Sequence, residues 1–83
     1  MEYEHKERKQ ALLERFEEEL EDACEYAELA EEHPECAELF HAIGREELTH
    51  AYYLSDRIRR MGHELSDELE LKWHKTLKKY GRE

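Results

Sequence analysis

The sequence is poor in residues that interrupt regular structure. It has one proline and three glycines among 83 residues. A β-sandwich or barrel needs many turn residues, so this scarcity excludes those folds and favours long helices. Cysteine is also rare. Cys24 and Cys36 are the only two, and their spacing fits neither a zinc pair nor a redox CxxC. They read as small core residues rather than as a disulfide framework. No run of 18 apolar residues occurs, so no transmembrane helix is expected. The N-terminal MEYEHKERKQ lacks the apolar centre of a signal peptide, which points to the cytoplasm. Basic residues are outnumbered, 13 to 23, for a net charge of −10. Such acidity argues against nucleic acid or an anionic membrane as partner. No phosphate-binding loop, nucleotide motif or Ser/His/Asp arrangement is present.

What is there is acid, and it is unevenly placed. Residues 1–35 carry 14 acids and 4 bases, whereas residues 36–83 carry 9 of each. Between Glu14 and Glu35 the only base is Arg15. Like charges in a block repel and must be solvated or neutralised. The chain is also short, a single domain over 1–83. It buries only about 60–65% of its unfolded surface, so a second copy or a bound metal is the expected source of extra stability.

The few breakers divide the chain. His33-Pro34 ends one helix and starts the next, because proline disfavours helical geometry before it and suits a first turn. Gly62 reads as a helix C-cap, and Gly81 ends the last segment. Ser66 or Asp67 offers an N-cap, Asp67 with capping-box spacing to Glu70. The expected fold is all-α, with helices at about 5–32, 35–61 and 67–80. The first two should form an antiparallel hairpin with a short third helix. Gly44 inside the second helix costs about 1 kcal/mol relative to alanine, which close approach of another helix would explain. The third helix aligns Leu69, Trp73, Leu77 and Tyr80. Its basic face, Lys72, Lys75, Lys78, Lys79 and Arg82, reads as charge balance for the acids of the first helix.

Winding the helices at 100° per residue locates the unusual carboxylates. In the second helix the apolar stripe is Cys36, Phe40, Ile43, Leu54 and Ile58, edged by Leu39 and Met61. Glu47 and His50 fall inside it. In the first helix the stripe is Leu12, Leu13, Phe16, Leu20, Ala23, Cys24, Ala27 and Ala30. Glu19 flanks its centre, with Glu17 as a competitor on the other flank. A carboxylate on an apolar face is costly unless paired or bound to metal. Glu47 and His50 form Glu-x-x-His, one helix face at i and i+3. Carboxylate-bridged ferritin-like sites take a Glu from each of two helices and Glu-x-x-His from each of two others. This chain supplies half of that set, and a two-fold dimer forming a four-helix bundle would complete it. Oxygen-rich ligation with imidazole suits iron or manganese. Alternatively, Glu47 and His50 form an inter-helix hydrogen-bonded pair in a dimer core. His5 and His41 are placed for accessory roles, whereas His33, His63 and His74 read as surface residues.

The series EELE at 18–21, Tyr26, Pro34 and EELTH at 46–50 resembles the encapsulated ferritin family across roughly residues 12–80. Glu25 stands where that family has an aromatic. The resemblance implies a ferroxidase in which Glu19, Glu47 and His50 bind two irons across a homodimer interface. It makes Tyr26 a tyrosine near the metals and Glu18 and Glu21 acids of the metal entry route. It further implies a ring of five dimers and transfer of iron to an encapsulin shell. A rubrerythrin-like peroxidase or a manganese protein would use the same ligands. A non-enzymatic acidic assembly domain would need no metal.

Overall fold

A computed structural model describes residues 2–82, with side chains from Lys6 onward. Among the described residues the fold is three α-helices and no strand: α1 (Glu2–Glu32), α2 (Ala37–Arg60) and α3 (Asp67–Lys79). The helix α1 is rich in Glu, Leu and Ala, strong helix formers. Its 31 residues span about 46 Å and set the long axis of a rod of 50 × 20 × 16 Å. The radius of gyration is 14.1 Å, above the ~12 Å of a compact chain this size. Long helices with little to cover them produce this shape.

Each chain break acts as its residue type demands. His33 leaves helical geometry at φ −128°, and Pro34 opens a single 3-10 turn over Pro34–Cys36. Gly62 adopts φ +83°. Its N–H donates to Arg59 O and that of His63 to Ile58 O, the paired bonds of a Schellman cap. The same pair recurs at the end of α3, with Gly81 at φ +67° and bonds to Lys78 O and Leu77 O. Ser66, not Asp67, is the N-cap of α3: its hydroxyl accepts from Leu69 N–H at 3.2 Å. Glu70 is thereby free to pair with Arg59 at 2.9 Å instead of closing a capping box.

The core runs along the hairpin. Phe16, Leu20, Leu48 and Ile58 are fully buried, each contributing about 1.5–3 kcal/mol. Trp73 of α3 meets Phe16 edge-on at 5.7 Å, and Leu65 from the turn belongs to the same core cluster. Towards the short turn the helices meet through small residues, Ala23, Ala27 and Ala30 on α1 and Gly44 on α2. The close approach expected at Gly44 comes from two tyrosines. A methyl there would overlap the Tyr80 hydroxyl and lie 3.1 Å from Tyr26 Cβ. That hydroxyl donates to Ala23 O, which pins the end of α3 to the hairpin. On the basic face, Lys72 pairs with Glu17 at 3.1 Å, one of the expected cross-helix neutralisations.

The burial of α2 differs from the expected stripe. Its buried residues are Gly44, Leu48, Ala51, Ser55 and Ile58. This row is rotated about 70° from the Phe40–Ile43–Leu54 stripe. Of the expected stripe only Ile58 is buried; Gly44, Ala51 and Ser55 let α1 approach closely, and Leu48 and Ile58 fill the core between them. Phe40, Ile43 and Leu54 end half-buried, and Leu39 is 59% exposed. Both cysteines are free and half-buried, so neither is the core residue expected. Cys36 sits at the N-cap of α2, and Cys24 lies in the groove between α1 and α3 with Lys72 and Lys75.

Candidate metal centre

Three of the singled-out residues converge. Glu19 of α1 and Glu47 and His50 of α2 offer ligand atoms that all lie within 4.8 Å of one another. His50 Nδ1 is 3.6 Å from Glu19 Oε2 and 3.9 Å from Glu47 Oε1. Two atoms ligating one ion at about 2.1 Å sit roughly 3.0–4.2 Å apart, so these separations match a shared cation. The backbone reason is simple. Glu47 and His50 are three residues apart on one helix, and the hairpin sets Glu19 opposite them.

Burial is graded across the three. Glu19 is 2% exposed, and the side chains of Glu47 and His50 are 21% and 56% exposed. Glu47 and His50 therefore line the edge of α2 rather than a buried stripe, a consequence of the rotation described above. Glu19 Oε1 meets Arg15 Nη2 at 2.8 Å. Its Oε2 is buried among the described residues without a hydrogen-bond partner and faces His50. While Glu47 is ionised nothing donates to this oxygen, and its burial then carries a desolvation cost that a cation would offset. The donor set, two carboxylates and an imidazole, fits a hard or borderline ion such as iron or manganese.

The electrostatics are those of two carboxylates sharing one place. Glu47 is pushed up to about 7, first by its hydrogen bond to Glu19, then by burial and the Glu19 charge. Burial alone would raise Glu19. The hydrogen bond from Glu47 and the positive groups of Arg15 and His50 outweigh it and hold Glu19 below the usual carboxylate range.

The other singled-out residues lie elsewhere. Glu17 turns to Lys72 and is no part of the cluster. Tyr26 lies two turns along α1, about 10 Å from Glu19 in axial rise, and packs its ring 6.3 Å from Phe40. Glu18 is 60% exposed and pairs with Arg15, while Glu18 and Glu21 rim a shallow acidic depression with Glu14 and Glu17. The rings of His41 and Tyr80 meet at 5.8 Å. His33 and His74 stand beside Glu35 and Glu70, and His63 lies in the turn between α2 and α3. The side chain of His5 is outside the described residues. Sequence reasoning missed the part played by Arg15, although its isolation in an acidic block and its place one turn before Glu19 were both visible. No protein-family model, no curated protein and no solved structure matches this chain.

Proposed function

We propose that the chain is a ferroxidase of the encapsulated ferritin type, taking Fe(II) as substrate and dioxygen as oxidant. The observation that carries this reading is the convergence of the buried Glu19 carboxylate with Glu47 and His50, their ligand atoms all within 4.8 Å of one another. Iron, when bound, supplies the electrons that dioxygen accepts, and anionic oxygen ligands favour the more highly charged Fe(III). The protein's own residues supply the setting. Glu19 is fixed by α1 packing and by Arg15. Glu47, its carboxyl raised to about 7 beside Glu19, would hold a cation in its ionised form. His50 offers Nδ1 from the exposed side.

One chain provides two carboxylates and one imidazole, too few for two irons. We infer that a second copy, related by a two-fold axis, brings its own three residues to the same place and completes a four-helix bundle. The half-buried Ile43 and Leu54 flank Glu47 and His50, and such a contact would cover them. The ring of five dimers and residence as cargo of an encapsulin shell follow only from the sequence resemblance.

The test is anaerobic Fe(II) loading followed by air. An oxo-iron absorption band in the near ultraviolet at two irons per dimer is expected. Glu47→Ala or His50→Ala should lower rate and stoichiometry together, and unchanged values in both variants would overturn the assignment. Faster turnover with hydrogen peroxide than with dioxygen would instead indicate a peroxidase.

A further inference from the structure

Arg15 occupies an unusual place for the only base between Glu14 and Glu35. Its guanidinium forks between two neighbouring carboxylates. Nη2 lies 2.8 Å from Glu19 Oε1, inside the cluster, and Nη1 lies 2.9 Å from Glu18 Oε2, outside it. The three side chains grade from water to interior: Arg15 and Glu18 are each 60% exposed, and Glu19 is 3% exposed. A fixed positive charge beside a ligand carboxylate repels any cation seeking that carboxylate. A guanidinium so exposed leaves at little cost, since few packing contacts hold it. Glu18 gives it a place to stay while it releases Glu19.

We propose that Arg15 is a displaceable cation gate: a tethered positive charge that holds the buried Glu19 carboxylate until a divalent ion takes its place. This rests on the reading of Glu19, Glu47 and His50 as a metal centre. While Arg15 is in place, Glu19 is oriented, with Oε1 engaged and Oε2 aimed at His50. When a metal ion arrives along the acidic depression of Glu14, Glu17, Glu18 and Glu21, the guanidinium swings onto Glu18 alone. Charge is exchanged for charge, so the buried carboxylate is never left unpaired. The gate sets a threshold: the guanidinium, held to Glu19 through one nitrogen and to Glu18 through the other, yields to a doubly charged ion more readily than to a monovalent one.

The experiment is a Co(II) titration followed by visible absorbance, on the full-length protein and two variants. Arg15→Gln keeps a polar side chain with N–H donors, though a shorter one, and loses the charge; it should bind Co(II) roughly tenfold tighter. Arg15→Lys keeps the charge and should stay within about threefold of the original protein. Weaker or equal binding by Arg15→Gln overturns the gate and marks Arg15 as a support for Glu19. Equal tightening by both variants also overturns it, because charge would then not be the agent. Absence of Co(II) binding by the original protein and by Arg15→Gln alike removes the metal centre itself.

Discussion

At the scale of single residues, the chemistry concentrates in one carboxylate pair. Glu19 and Glu47 face each other, and the two are shifted in opposite directions, Glu19 down and Glu47 up to about 7. The sign of the resulting pH dependence follows. Glu47 binds its proton more tightly folded than unfolded, so its stabilisation is full below the ordinary carboxylate range and is lost as pH rises through about 7. Glu19 acts oppositely, but only at acid pH below its ordinary range. Chelator-treated protein should therefore lose on the order of 1–2 kcal/mol between pH 5 and 8 in urea denaturation. Glu47→Gln should flatten that slope. A slope unchanged in the variant would show that Glu47 is not the titrating group. Glu19 was legible from the helical wheel because a carboxylate near an apolar stripe is conspicuous. Arg15 was not, since an arginine in an acidic block is ordinary charge balance until its fork onto a buried oxygen is seen.

At the scale of elements, the hairpin depends on small residues at its crossing. Gly44 lies beneath Tyr80, whose hydroxyl donates to Ala23 O. Burial raises the Tyr80 hydroxyl above its ordinary value, consistent with a neutral donor. Gly44→Ala should force this tyrosine out and cost on the order of 1–3 kcal/mol, read as a fall in denaturation midpoint. In a Tyr80→Ala background the same change should cost little beyond the tyrosine loss, because the two share one space. Full additivity would place the strain elsewhere. The helix ends were readable in advance: Pro34, Gly62, Ser66 and Gly81 act through local backbone chemistry that needs no partner. The buried face of α2 was not. Hydrophobicity alone pointed to Phe40, Ile43, Leu54 and Ile58, whereas close packing kept Ile58 and put Gly44, Leu48, Ala51 and Ser55 in place of the others.

At the scale of the whole molecule, the chain is a rod with one face covered by α3 and another left half-covered. Leu39 is 59% exposed, and Ile43, Glu47, His50 and Leu54 continue along the same side of α2. Under the proposed two-fold assembly, Ile43→Glu should leave helicity intact but yield monomer in sedimentation. It should also abolish binding of a second iron per pair of chains. A dimer of normal metal stoichiometry in this variant would exclude that face as the contact. The acidity of α1 gains a division of labour here. Glu17 neutralises Lys72 and Glu18 engages Arg15, whereas Glu19 alone is drawn into the interior.

The amino-acid sequence by itself determined the three helices, their ends and the antiparallel hairpin, because propensity, proline, glycine caps and helical periodicity act over a few residues. It also placed Glu47 and His50 together, since three residues on one helix always share a face. The wheel favoured Glu19 over Glu17, but only the tertiary structure decided that Glu17 turns away to Lys72, that α2 buries the row from Gly44 to Ile58, and that Arg15 grips the buried carboxylate. Each of those depends on how closely and at what rotation two helices meet. That is set by side-chain volumes on both partners at once, which no single stretch of sequence contains.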